Sequence, residues 1–341
     1  MKKPKVGALG FSIIYAVSSY SSPNEADPFT LEPDLLIKRL LDRTSPFLKR
    51  SDVSVNSNGE IMNQNLCPVV AITNQKGGVG KTTTAINLAQ ALAIQDLKVL
   101  LVDLDPQGNA TQGVGIRLEN IQASIADLIR DRAFPMASAI YQGDELDLIP
   151  ATPLLARVER EMVALTNSEL RLAHRLLPLR SQYSVIVIDT PPTFGPLMNS
   201  ALNAATHLVV PVDSSYFALM GIKELQTEVD EIQRGTNPSL KILGYLLTLV
   251  DPTNIASQTW DTLINNFGEM VFETRIRRSV KLREAPALGK TIFHHAPQSA
   301  GARDYLGLAH EVMARLGMGE NISTGTSSRP SLSLIQGVNR D

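Results

Sequence analysis

Lys76 and Lys81 flank a glycine-rich run, Gly77-Gly78-Val79-Gly80, and Thr82 and Thr83 follow it directly. Glycines let the backbone turn so that successive N–H groups point inward at an anion. Lys81 is spaced to reach the β- and γ-phosphates of a nucleotide, and the Thr82 hydroxyl to ligate Mg²⁺. Gly77, Gly78, Val79, Gly80, Lys81, Thr82 and Thr83 are therefore the expected cradle for ATP, with Mg²⁺ as its metal. The general pattern has a glycine five positions before Gly80, and Gln75 stands there instead. Lys76 is one lysine more than such a loop needs; read alone, it fits a solvated surface charge.

These residues need elements to position them. Residues 68–73 form a short apolar run that reads as a buried strand. Residues 84–94 carry apolar positions at helical spacing, so the loop joins a strand to a helix whose positive dipole end faces the phosphates. A second apolar run, 98–102, ends in Asp103-Leu104-Asp105-Pro106-Gln107-Gly108-Asn109. Pro106 stops that strand and Gly108 permits a turn. A third, 183–189, ends in Asp189 and leaves through Thr190-Pro191-Pro192. Acids at the C-terminal ends of strands lie where open α/β sheets place ligands, and an aspartate at Asp189 can hold Mg²⁺ through water. Further strands are expected at 146–149, 207–212, 240–250 and 270–274. Helices are expected at 119–142, 154–180, 219–233 and 302–316. The alternation implies an α/β fold, a doubly wound, mostly parallel sheet with right-handed crossovers and helices on both faces.

The chain has 341 residues, 43% of them hydrophobic, enough for one large α/β domain or two smaller ones. The formal net charge of −2 gives no whole-protein basic field, so any nucleic-acid contact must come from a local patch. One segment offers such a patch: Arg275, Arg277, Arg278, Lys281 and Arg283 place five cations within nine residues. By itself that run also fits a solvated face. The single cysteine, Cys67, excludes an internal disulfide and suits a reducing cytosol.

Lys-Gly-Gly-Val-Gly-Lys-Thr-Thr at 76–83 resembles the deviant phosphate loop of the ParA/MinD family of ATPases. Asp-Leu-Asp-Pro-Gln-Gly-Asn at 103–109 resembles the first switch of ParA-type proteins, and Asp-Thr-Pro-Pro at 189–192 the second. The stretch 275–292 resembles their late motif. The resemblance covers roughly residues 66–317 and points to a Soj/ParA-like partitioning ATPase. It implies that Lys76 crosses a dimer interface to touch the partner's ATP, and that Asp105 positions or activates the attacking water. It implies a homodimer that closes on ATP binding, binds non-specific DNA, and is released when a ParB-like centromere-binding protein stimulates hydrolysis. Arginines near the late motif would contact DNA backbone, and local backbone there would carry adenine contacts. Some Soj-like relatives carry an arginine in the loop after the preceding strand; here that loop is Asp251-Pro252-Thr253-Asn254, without a cation. The location implied is cytoplasmic and nucleoid-associated. The cargo is left open between a chromosome, a plasmid and a protein assembly.

Two other classes share the loop. A MinD-like membrane ATPase needs a C-terminal amphipathic anchor; residues 331–337 are too short and lack a basic face, so no stable membrane anchor is expected. An iron–sulfur reductase needs cluster thiolates, which Cys67 alone cannot supply. The chain divides into an N-terminal extension, 1–61, expected to be largely disordered; an ATPase domain, 62–318; and a disordered tail, 319–341. Lys2, Lys3 and Lys5 before an apolar run resemble a signal peptide, but an ATP-dependent loop argues against export, and Met62 is an alternative start. Residues 33–41 read as a short amphipathic helix without a core of its own.

Overall fold

A computed structural model describes residues 66–215 and 218–318, together with the backbone of two short strands, Val53–Val55 and Ile61–Asn63. Those two strands pair antiparallel, and the domain division expected at 62 falls inside the second. The expected helix at 33–41, the signal-like N-terminus and the tail from 319 lie outside the described residues.

The strands of the main sheet are β1 (Val69–Ile72), β2 (Val99–Asp103), β3 (Asp147–Ile149), β4 (Val185–Asp189), β5 (His207–Asp213) and β6 (Lys241–Thr248). All six are parallel, in the order β3-β2-β4-β1-β5-β6. The central strands are continuous apolar runs because both faces are covered. Side chains alternate between two cores, as a pleated strand dictates. Val69 and Ala71 enter one, Val70 and Ile72 the other; Leu100 and Val102 oppose Val99 and Leu101 in the same way.

The first core is roofed by α3 (Ile125–Arg130), α4 (Leu154–Met162), α5 (Arg171–Leu176), α6 (Pro196–Ala204), α7 (Ala218–Arg234) and α8 (Asn254–Phe267). The second is covered by α1 (Lys81–Ile94), α2 (Asn109–Gly113), α9 (Val280–Ala287), α10 (Ile292–His295) and α11 (Ala300–Arg315). Helix α1 is buried along most of its length, with apolar residues spread around it and the polar Thr84, Asn87 and Gln90 buried as well. The doubly wound parallel architecture is the one expected.

Three expected elements differ. The helix expected over 119–142 is instead α3 between two single-turn 3₁₀ segments, Leu118–Asn120 and Met136–Ala139. Ser124 and Asp127 form a capping box that starts α3 late, and Pro135 forbids its continuation. The helix expected over 154–180 breaks after Met162; Asn167 takes a left-handed φ of 55°, and the chain restarts as α5. The strand expected at 270–274 runs beside β6, with Phe272 N–H donating to Tyr245 O and Ile276 N–H to Leu247 O. It does not become a regular strand. The amides of Glu273 and Thr274 donate instead to the Glu311 carboxylate from α11, which interrupts the ladder. The short helices α2, α9 and α10, and the longer α6 and α8, were not legible as helices in the sequence.

Candidate functional site: a phosphate loop between two acidic strand ends

Register brings the chemistry together. Ile72 at the end of β1 pairs with Asp189 at the end of β4, and Asp189 pairs in turn with Asp103 at the end of β2. The glycine loop that follows β1 thus lies beside Asp189, with Asp103 one strand further on the same side and Asp213, which closes β5, on the other, at the point where the strand order reverses.

The loop takes the shape its sequence requires. Gly78 and Gly80 have φ of 77° and 85°, a region that a side chain disfavours. Gly80 caps α1 and no side chain satisfies the helix's first amides, which leaves them aimed at an anion. Gly77 and Gly78 are exposed, whereas Val79 is buried and anchors the loop: its carbonyl accepts from the Thr248 hydroxyl at the end of β6, at 2.8 Å. Thr82 and Thr83 open the helix, half-buried.

Lys81 is buried, and its ammonium donates to the Lys76 carbonyl at 3.0 Å. Burial lowers its pKa, while Asp189 and Asp105 work against that loss of charge. Asp189 is fully buried, and neither of its oxygens makes a well-formed hydrogen bond among the described residues; the Thr82 hydroxyl beside it is close enough to favour its charged form without closing such a bond. Burial holds its carboxyl well above the usual range, Asp103 adds to the rise, and Thr82 and Lys81 oppose it. Asp103 is pushed up to about 6 by burial, against hydrogen bonds from Thr111. An unsatisfied buried carboxylate is expensive unless a cation joins it. The Thr82 hydroxyl and Asp189 offer oxygen donors of the kind Mg²⁺ takes, whereas Asp103 spends both oxygens on Asp105 and Thr111, and among the described residues no three carboxylates group as a metal site by themselves.

Asp105 is buried and points into the switch segment, where its carboxylate accepts from Gln107 N–H at 2.9 Å. Its neighbour Asp103 pins that segment. One oxygen accepts from Asp105 N–H, the other from both the amide and hydroxyl of Thr111, at 2.8 and 2.7 Å. The same hydroxyl accepts from Ala151 N–H.

Lys76 is not a solvated charge in this structure. Its ammonium lies 2.9 and 2.7 Å from the two oxygens of Asp213, at the end of β5, and 2.8 Å from the Ser215 hydroxyl. Asn74 fixes the backbone beneath it, accepting from Lys76 N–H and donating to Pro211 O.

Lys81, Thr82, Asp105 and Asp189 thus converge. The cationic segment is a different case. Arg277 binds Asp304, Arg278 binds Asp251 at 2.7 Å and Lys281 binds Glu284 at 2.9 Å. Arg275 stacks 4.2 Å from the ring of Trp260. Arg275 and Arg283 are both exposed with no acidic partner at ion-pair distance among the described residues, and of the two only Arg275 has an aromatic contact. Yet Arg277, Arg278 and Arg283 line a cleft with Gly80, Thr83, Leu249 and Tyr305, so the segment abuts the loop. A cavity of about 520 Å³ lies elsewhere, between residues 141–148 and 289–294. It holds none of the expected site residues.

Sequence reasoning placed Asp103 at a ligand-facing strand end without giving it a role, and passed over Asn74, Thr111, Asp213 and Thr248. Asp213 carried the same signal as Asp189, an acid closing a buried parallel strand. Thr248, at the end of β6, and Thr111, inside α2, carried none, because a threonine in either place has many ordinary uses.

A family model described as an AAA domain matches residues 67–242. The chromosome-partitioning ATPase Soj of Thermus thermophilus is 46% identical over 249 residues, covering 72% of this chain and 96% of that one. The chromosome partitioning protein ParA of Myxococcus xanthus is 43% identical over 251 residues, 72% and 88% of the two chains. This chain belongs to the ParA/Soj family of partitioning ATPases. Among solved structures, a cobyrinic acid a,c-diamide synthase from Mycobacterium smegmatis, crystallised with an ATP analogue and magnesium, superposes with a TM-score of 0.65 at 30% identity. It covers 76% of this chain and all of that one. The cell division ATPase MinD of Pyrococcus furiosus shares the fold, with a TM-score of 0.60 at 20% identity over 72% of this chain and 98% of that one. Among the described residues, no helix is long and apolar enough to cross a membrane.

Proposed function

We propose that the protein is a Mg²⁺-dependent ATPase whose nucleotide state controls attachment to DNA, positioning a chromosome, plasmid or protein cargo. The reading rests on one observation: Lys81, Thr82, Asp105 and the unpartnered carboxylate of Asp189 converge on a helix N-terminus left uncapped. Loop amides and Lys81 bind the β- and γ-phosphates. Thr82 and Asp189 hold Mg²⁺, which when bound neutralises developing phosphate charge. Asp105, kept in place by the Asp103–Thr111 contacts, orients the water that attacks the γ-phosphate. Two protomers close over two nucleotides, with Lys76 of each reaching the other's phosphates. The dimer brings two cationic segments onto one face, and avidity makes its DNA affinity exceed the monomer's. A ParB-like partner accelerates hydrolysis and returns the monomer, which gives a nucleoid-associated cycle.

The test is mobility shift on two unrelated duplexes, with ATP and with ADP. Asp105→Ala should slow hydrolysis and persist on both duplexes with ATP. Equal binding in ATP and ADP removes the nucleotide gate from the proposal.

A further inference from the structure

The Lys76 ammonium has three oxygen partners within its own chain, two on Asp213 and one on Ser215, all at 2.7–2.9 Å. Ser215 also donates to Asp213 at 3.1 Å, so the acceptor is itself held. Asp213 is largely shielded while Lys76 is partly open, with side-chain exposures of 19% and 39%. A lysine cannot satisfy this carboxylate and a phosphate across an interface with the same three donors aimed the same way. The two uses compete.

The backbone links this competition to the nucleotide. Lys81 donates to the carbonyl of Lys76, and Lys76 N–H donates to Asn74. A phosphate that draws the Lys81 ammonium to itself removes one of the contacts holding residue 76 in place. Binding at one lysine therefore loosens the other.

We propose that Asp213 is a positioning residue for Lys76: it docks the lysine in cis, sets the nucleotide level at which the protomers associate, and is released when Lys76 engages the second copy of the chain. This rests on the reading of Lys76 as a trans contact. A partly exposed ion pair changes an equilibrium by up to about five-fold. Both protomers must release their lysine, so the dimer constant changes by up to roughly twenty-five-fold.

The experiment is sedimentation velocity of the full chain with Mg²⁺ across a series of the slowly hydrolysed analogue AMPPNP, with ADP as control. Asp213→Asn should dimerise at lower AMPPNP than the parent and remain monomeric in ADP. Asp213→Glu should restore the parent's threshold. Lys76→Ala should dimerise poorly, and adding Asp213→Asn to it should change nothing further, because the aspartate acts only through the lysine. Ser215→Ala, which removes one contact, should shift the threshold in the same direction by less, and it decides the matter if Asp213→Asn folds badly. An unchanged or raised threshold in Asp213→Asn or Ser215→Ala, with Lys76→Ala still defective, overturns the role of Asp213 alone. So does an Asp213 effect that survives without Lys76. Normal dimerisation of Lys76→Ala instead overturns the trans reading beneath it.

Discussion

At the carboxyl end of the sheet, Asp189 is fully buried and its oxygens make no well-formed hydrogen bond among the described residues. In the segment 275–283, four of five cations are at the surface and already engaged, by Asp304, Asp251, Glu284 and Trp260. Both regions concentrate charge, but they carry different information. A buried carboxylate without a partner is a standing cost that folding alone does not justify; it marks where a cation belongs. Exposed ion pairs are common, individually weak, and compatible with an ordinary solvated face. The first region therefore identifies its ligand from within. The second needs an external measurement before DNA can be assigned to it.

The largest effect separates function from stability at the acidic end. Lys81→Ala should reduce ATP hydrolysis by roughly 10²–10³-fold or more, the scale for removing a charge aimed at a transferring phosphoryl group. It should leave the fold intact, and a steady-state phosphate-release assay with thermal unfolding checks both. Asp189→Asn should likewise abolish Mg²⁺-dependent turnover. Without nucleotide, however, it should be more stable than the parent at neutral pH, by on the order of 1–3 kcal/mol, because a buried charge is gone. The sign follows from linkage. A carboxyl whose pKa is raised on folding costs stability above that value, and the cost fades as pH falls through it. A destabilised Asp189→Asn protein would mean that the carboxylate is satisfied by something within the fold.

The next effect tests the cationic region residue by residue. Arg277 neutralises Asp304, which is only 8% exposed, whereas Arg283 has no acid at ion-pair distance among the described residues. Arg277→Glu should cost about 2–3 kcal/mol, less than a fully buried pair because Arg277 is half exposed. Arg283→Glu should cost almost nothing in stability. If the segment binds DNA phosphates, Arg283→Glu should flatten the slope of log affinity against log salt by about one per protomer. Salt-series mobility shift and urea unfolding read the two quantities. An unaltered slope in Arg283→Glu would leave the segment as a paired, solvated face.

The same contrast explains what the sequence made legible. The loop, the two switch segments and the central strands could be read because each demands particular residues at fixed spacing: glycines at left-handed φ, and apolar runs such as 185–188 closed by an acid. The cis docking of Lys76 could not, because Asp213 lies 137 residues away and only the pairing of β1 with β5 joins them. The broken helices at 119–142 and 154–180 misled because apolar spacing continues across the breaks. The interruptions are set by a capping box and by one left-handed asparagine. The irregular strand at 270–274 fails for a tertiary reason, the capture of two amides by Glu311, which no local pattern announces.

The smallest effect uses the opposite end of the sheet as a control for the acidic one. His207, at the start of β5, has its pKa lowered to about 4 by burial, with Lys241 and Arg180 adding repulsion. Its Nδ1 lies 2.9 Å from the Thr206 hydroxyl, which itself donates to the Val69 carbonyl. The folded protein thus keeps this imidazole neutral over a range where an unfolded chain, with a pKa near 6.5, takes up a proton. The unfolded state binds more protons there, so stability is full above about pH 6.5 and is lost as pH falls toward 4. Partial exposure limits the loss to on the order of 1–2 kcal/mol. His207→Gln should flatten that acid limb in thermal unfolding between pH 6.5 and 4. Because His207 is remote from the phosphate loop, Mg²⁺ and AMPPNP should raise stability in both proteins without altering the difference between their limbs. A nucleotide-dependent change in that difference would show that the two ends of the sheet are coupled, and that buried charge at the far end also belongs to the nucleotide cycle.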